Sequence, residues 1–268
     1  MAKARNSIHR LLAIAVTALL VAEELHAQQL TLAIQPILGE RTTRKAFAPL
    51  ARYIGQVLGQ PCVVVTNPNF LAYWQMIRKP HGYAFILDAA HFTDYRLTHL
   101  GYHLLVKEPG TVSYSLVTRS SEMIFGPSDL VGQRIASLGI PSMGAALLGQ
   151  LFPHPSRQPI IVDAASATAE LSLLLTHKVV AAMIPTPLVG EQMAQGAAIT
   201  VVTTTPPIPN VALSAAPWIL PVQRARVRAA LLNAPHALML AIGLHRFVPA
   251  HPQQYEHQDR ILKTYWGY

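Results

Sequence analysis

Gln133-Arg-Ile-Ala-Ser-Leu-Gly-Ile-Pro-Ser-Met-Gly-Ala-Ala-Leu-Leu-Gly149 reads as a strand, a tight turn and a helix. Arg134 to Leu138 suits a buried strand, Gly139 to Gly144 is rich in Gly, Pro and Ser, and strong helix formers follow from Ala145. A turn feeding a helix leaves backbone N–H groups without intrahelical partners, and the helix dipole makes that end attractive to anions. The stretch is therefore either one wall of a ligand site or an ordinary strand-to-helix connection, since such turns occur throughout α/β proteins.

Working outward, the same alternation recurs on both sides. Gln29 to Ile34 reads as a first strand, and Gln35 to Thr43 as a loop. Arg44 to Leu58 carries a helical stripe at Phe47, Leu50, Ile54 and Leu58 and stops at Gly59. Cys62 to Thr66 is β-branched, Phe70 to Arg78 helical, and Tyr83 to Leu87 a buried strand that Asp88 ends while capping a helix over Ala89 to Leu97. Strands are expected over Tyr102 to Val106 and Ser113 to Thr118. Beyond the opening stretch, strands over 159–162, 179–184, 199–204 and 212–216 alternate with helices over 167–175, 188–195 and 221–232. This βαβ alternation predicts mostly parallel sheets flanked by helices. No internal repeat and no low-complexity segment interrupts it.

The first 27 residues read as an export signal rather than as fold. Lys3, Arg5 and Arg10 precede an apolar run, Leu11 to Ala22, too short to stay as a membrane span, and cleavage is expected after Ala27. The remainder is expected to be soluble and periplasmic. The chain carries a formal charge of +8, which falls to about +7 once a segment with three basic and two acidic side chains is removed. The basic residues are scattered apart from Arg224, Arg226 and Arg228, and with export this argues against a nucleic-acid partner. Charged residues make up only 13%, against roughly 25% in typical globular domains, so much apolar surface must be placed in a core or a ligand cleft. Cys62 is the single cysteine and excludes an intramolecular disulfide.

Catalytic signatures are absent: there is no G-x-S-x-G, H-E-x-x-H, Walker loop or G-x-G-x-x-G. His81, His91, His99 and His103 lie close in sequence, but their spacing matches no metal-ligand pattern, so no metal site and no cofactor are expected. Asp88 and His91 form an i, i+3 pair at a strand's C-terminal end, either a helix cap with a neighbouring histidine or, for an enzyme, the only candidate catalytic pair. No nucleophile and base can be paired, and an enzyme is not expected.

Several phrases resemble the periplasmic phosphate, phosphite and phosphonate-binding proteins of ABC importers. They are the opening strand followed by Phe47-Ala-Pro-Leu-Ala-Arg-Tyr-Ile54 and Leu58-Gly59, then Tyr83-Ala-Phe-Ile-Leu87 and its helix, Ser128-Asp-Leu-Val-Gly-Gln-Arg-Ile-Ala136, and Thr203-Thr-Thr-Pro-Pro-Ile-Pro-Asn210. The resemblance implies a two-lobed α/β type II periplasmic binding protein, a Venus flytrap whose lobes are each a mainly parallel sheet flanked by helices. Lobe one would be 28–115 plus 205–268 and lobe two 116–204, with ligand between them and closure by hinge motion. The partners it implies are a small-molecule ligand and an inner-membrane permease or receptor, and a monomer is expected.

The departures from the family bear on the ligand. Its turn carries a Ser-Thr-Ser-Gly phrase that holds phosphoryl oxygens, where this chain has Pro141-Ser142-Met143-Gly144. Its Ser-His-Asp phrase is matched by Ala165-Ser166-Ala167-Thr168, its cleft acid by Val180, and its Gly-Pro-x-x-Tyr region by Leu87-Asp88-Ala-Ala-His91. Fewer donors and an added Met and Val make a less polar cleft. Two ligands remain open on one fold: a phosphate- or phosphonate-type oxyanion on Ser142, the helix N-terminus, Ser166 and Thr168, or an apolar or amphipathic cargo such as a sterol or other lipid. A third reading is a sensing lobe that presents ligand to a membrane receptor. Ser142 and Gly144 would contact ligand through backbone N–H, with Tyr73, Asp88, His91 and Tyr114 facing it from lobe one and Met143, Val180 and Thr186 from lobe two.

Overall fold

The computed structural model describes residues 29–79 and 82–262. The expected signal segment and His81 lie outside them. The chain runs β1 (Leu30–Ile34), α1 (Glu40–Leu58), β2 (Cys62–Val65), α2 (Phe70–Ile77), β3 (Phe85–Asp88), α3 (Ala90–His99) and β4 (His103–Lys107). It continues through β5 (Thr111–Val112), β6 (Tyr114–Arg119), a 3-10 turn, β7 (Arg134–Ser137), α4 (Met143–Leu151), β8 (Ile160–Asp163), α5 (Ala167–Leu175), β9 (Ala181–Pro185), α6 (Thr186–Ala194) and β10 (Ile199–Thr204). It ends with β11 (Ile208–Pro209), β12 (Ala212–Ala215), α7 (Pro221–Leu232), α8 (His236–Ala241) and β13 (Val248–Pro249).

Two sheets result. One has six strands in the order β13-β4-β12-β3-β1-β2, and the other five in the order β10-β6-β9-β7-β8. The antiparallel pair β5–β11 lies in the two segments that connect them. The sheets are mixed rather than mainly parallel. β2-β1-β3 and β8-β7-β9 are parallel, as βαβ connections require, whereas β12, β4, β13, β6 and β10 pair antiparallel. Of these, β4, β6, β10 and β12 enter or leave the two connections between sheets, and β13 follows α8 in the tail.

Most element boundaries fall within two or three residues of the sequence expectation, with one informative exception. α1 begins at Glu40, inside the stretch read as loop. Its first turn has no apolar stripe. It is held by the acidic Glu40 near the helix N-terminus and a 2.9 Å ion pair from Glu40 to Arg44. The first sheet packs on α1, α2 and α3 around Leu32, Ile54, Trp74, Phe85 and Phe92, all fully buried. The second sheet has a core on each face: Leu116, Ile135, Leu147 and Met183 under α4, and Val117, Ala136, Leu171 and Ile184 under α5. Tyr255, near the end of the described chain, packs with Tyr114 and Met143 and donates a 2.8 Å hydrogen bond to the Asn210 carbonyl, so the tail straps the connection between sheets.

Candidate functional site

The C-terminal ends of the parallel strands face one another across the two sheets, where ligands of open α/β sheets bind. Among the described residues several contacts cross this junction. His91 Nε2 reaches the Pro141 carbonyl at 2.9 Å, the Ala167 N–H donates to the Ile37 carbonyl at 3.1 Å, and Leu138 joins the core of the first sheet. Beside them a cavity of about 340 Å³ opens between Pro36 and Pro68–Leu71 on one side and Leu138–Ile140 and Asp163–Ala165 on the other.

The cavity walls follow from local sequence. Asn69 caps α2, its Oδ1 accepting from the Ala72 N–H at 2.8 Å, which leaves the first-turn amides of Phe70 and Leu71 at the cavity edge without helical acceptors. Gly139 turns the chain out of β7 with φ +75°, a left-handed conformation that suits glycine, and a Cβ there would meet Asp163 Oδ1 at 3.1 Å. Asp163 ends β8 and is the only charged side chain lining the cavity among the described residues.

None of the site residues singled out from sequence lines this cavity; most stand behind or beside it, and Val180 lies at the far end of its sheet. Tyr73, Asp88 and His91 are fully buried in the first lobe. Asp88 accepts from Arg96 at 2.5 and 2.7 Å, from Tyr73 at 2.7 Å and from Thr93 at 3.2 Å, and Arg96 also reaches Ser214. Burial, then the Asp88 charge, pushes the Tyr73 phenol well up, so it remains a donor. This is a closed ion-pair network; Arg96, which sequence reasoning passed over, occupies the carboxylate a catalytic role would need free. Burial lowers His91 to about 4, so the ring is neutral and Nε2–H is the donor to Pro141, while Nδ1 has no hydrogen-bond partner among the described residues. Asp88 and His91 therefore do not form an acid–base pair.

In the second lobe Ser142 caps α4. Its Oγ accepts from the Ala145 N–H at 3.2 Å and its own N–H donates to the Gly139 carbonyl, so both groups expected to meet ligand are engaged locally. Met143 and Gly144 turn inward, Gly144 against Tyr114 and Met183. Tyr114, expected to face ligand from lobe one, instead opens β6 of the second sheet and is buried there, its phenol pushed beyond its usual range by burial and then by Glu170. Ser166 caps α5, accepting from Ala169 at 3.1 Å and touching the Thr168 hydroxyl at 3.0 Å. Thr186 opens α6 and meets Ser115 at 2.9 Å, which in turn meets Thr204 at 3.0 Å, a hydroxyl chain by the connection between sheets. Val180 lies before the N-terminal end of β9, its N–H donating to the Arg134 carbonyl, at the opposite end of the sheet from the cavity.

Sequence reading also missed Glu170. It is 1% exposed on α5, and burial raises its carboxyl well above the usual range against the opposing pull of the Leu138 N–H. Its Oε2 has no hydrogen-bond partner among the described residues. Glu170 thus lies beneath the turn, a position invisible until α5 and β7 are packed together. Of the clustered histidines, His99 pairs with Asp259 at 3.2 Å and His103 is exposed. Among the described residues no three His, Cys, Asp or Glu side chains gather as a metal site would require.

Residues 32–255 match the family described as ABC transporter, phosphonate, periplasmic substrate-binding protein, and the chain belongs to that family. That family is a substrate-binding component of ABC transporters, which implies a small-molecule ligand, a membrane permease as partner and a periplasmic setting. Its fold is similar to PhnD1 of Prochlorococcus marinus in complex with methylphosphonate, at 12% identity over 88% of this chain and 98% of that one, TM-score 0.74. It is also similar to a binding protein component of an ABC phosphonate transporter from Pseudomonas aeruginosa, at 10% identity over 88% and 85% of the two chains, TM-score 0.71. A Xanthomonas citri protein bound to ATP matches at 14% identity over 87% and 94%, TM-score 0.67. At these identities the likeness shows the type II binding-protein fold. No curated protein matches the chain by sequence.

Proposed function

We propose that the chain captures a small oxyanion of phosphate or phosphonate type in the cavity between Asn69–Leu71 and Gly139/Asp163–Ala165, and hands it to a membrane permease. In this reading residues 28–115 with 205–268 form lobe one and 116–204 lobe two, hinged at β5–β11, and the protein acts as a monomer. The observation that carries it is the N-terminus of α2, whose Phe70 and Leu71 amides border the cavity while among the described residues no cationic side chain lines it. Amides and a helix dipole can hold an anion without a counter-ion. Asp163 then favours an acid that keeps one proton, or one that carries an ammonium group, because a fully ionised ligand would meet its negative charge. A wholly apolar cargo has no such support from this cavity, whose walls combine backbone amides with a carboxylate.

The test is a thermal-shift and calorimetric screen of the purified protein with phosphate, phosphite, methylphosphonate and sulfate. A ligand at 100 Kd should add about 2.7 kcal/mol, or roughly 5–10 °C in Tm. Ala165→Trp, on the exposed wall, should abolish that gain without lowering the Tm of the free protein. Binding that survives this blockade, or no response to any of the anions, would sink the reading.

A further inference from the structure

A second cavity, of about 420 Å³, adjoins the first and shares Leu71, Ile140 and Asp163 with it. Its floor is the face of β7 and β8 that carries Ser137 and Ile161, and its wall is the α4 face with Ala145, Leu148 and Phe152. The topology explains why it exists. β8 is the edge strand of its sheet, and α4 packs chiefly over β9 and β6, so the outer part of that face, over β7 and β8, is left partly uncovered. Leu71, Ile140 and Ile161, 41%, 44% and 44% exposed, gather three large apolar side chains around this one opening. On the floor, Ser137 is fully buried, and its hydroxyl has no hydrogen-bond partner among the described residues. A buried, unpaired hydroxyl is costly and marks a position that a ligand atom can satisfy.

We propose that this second cavity receives the apolar substituent of the ligand whose oxyanionic head sits in the first. The solute is then an amphiphilic organic acid, such as a phosphonate bearing an alkyl chain or aryl ring, rather than inorganic phosphate. This rests on the oxyanion reading above for the head group only. Continuity through the shared walls lets one molecule occupy both cavities, with Asp163 at the junction. The volume fits: an apolar cavity of about 150 Å³ takes a benzene ring, so this one holds a chain of about four to eight carbons with room for a polar atom near Ser137. The apolar walls select against short, fully polar anions only through what they add for longer ones, about fourfold in affinity per buried methylene.

The experiment is calorimetric titration of the purified protein with methyl-, butyl- and hexylphosphonate, and with sulfonates and carboxylates of the same chain lengths. Two variants accompany it: Ala145→Phe fills the cavity from α4, and Ile161→Ser makes its exposed floor polar. The expected result is phosphonate affinity rising about 50-fold from methyl to butyl, flat in Ala145→Phe and shallower in Ile161→Ser, with methylphosphonate unchanged in both. Should Ala145→Phe fail to fold, Ile161→Ser still reports the chain-length slope. Affinity independent of chain length, or a slope preserved in the variants that fold, overturns the apolar subsite while leaving the oxyanion reading intact. A slope seen with carboxylates or sulfonates but no phosphonate binding overturns the head-group reading and supports the subsite. No binding in any series overturns both.

Discussion

His91 joins the lobes through one hydrogen bond that only the neutral ring makes without penalty, so acid should weaken this protein at a particular place. Burial lowers the imidazole from 6.5 to about 4. Between those values the unfolded chain binds a proton that the folded chain refuses, so stability is fully present above 6.5 and lost as pH falls toward about 4. A shift of about 2.5 units corresponds to roughly 3 kcal/mol, or about 6–12 °C in Tm for a chain of this size. The perturbation is His91→Phe, which keeps a flat ring beside Phe92 but removes both the titration and the donor to Pro141. At pH 7.5 the variant should be about 1–3 kcal/mol less stable, because the buried Pro141 carbonyl loses its partner. On descending to pH 4 the wild type should lose roughly 3 kcal/mol more than the variant, closing or inverting the gap. Urea denaturation of both proteins at matched pH isolates the effect, since other carboxyls titrate equally in each. Parallel stability profiles, or an NMR titration of the folded protein placing the His91 midpoint near 6.5, would refute the reasoning.

Asp88→Asn should cost about 3–5 kcal/mol in urea denaturation, because Arg96 is fully buried and loses its counter-ion; Asp88→Asn with Arg96→Met should recover part of it, and a cost under 1 kcal/mol would contradict the closed network. Glu170→Gln should raise Tm at pH 7–8 and leave it unchanged near pH 4, since a carboxyl raised by burial contributes stability that is complete at low pH and lost as pH climbs; equal Tm at pH 8 would show that Glu170 is not held neutral. Gly55→Ala should destabilise by about 1–3 kcal/mol in the same assay, because its Cβ would sit 2.7 Å from the Gln60 carbonyl oxygen; a neutral effect would mean that the α1–β2 turn yields more readily than this contact allows.

Fold and family were legible because they are written in local, periodic signals. The apolar stripe of α1, the β-branched Cys62–Val65 and the Gly139 turn each specify their element without reference to anything distant. The site was less legible because it is made by convergence. Asn69 caps α2, and its place in the proposed site comes from Asp163 and Gly139 standing opposite, 70 or more positions along the chain. Ser142 illustrates a related limit. Its position in the turn matched the family's hydroxyls, but the structure engages that hydroxyl with Ala145 and that N–H with Gly139, and sequence does not reveal which partner a short polar side chain takes. Val180 misled by register: it precedes β9, and the strand's other end, at Pro185, is the one oriented like the C-terminal end of β7.

The buried charges explain what kind of recognition is left to the cleft. Arg96 is neutralised by Asp88, and burial lowers His91 and raises Glu170. These groups behind the junction are thus committed to the lobes' own structure, and among the described residues no guanidinium or ammonium lines the cavity. In the proposed reading affinity comes from amide dipoles, shape and apolar contact, all weaker per atom than an ion pair but far less sensitive to salt. A ligand held this way gains most from added apolar surface, and the shared wall of Leu71 and Ile140 is where that surface begins.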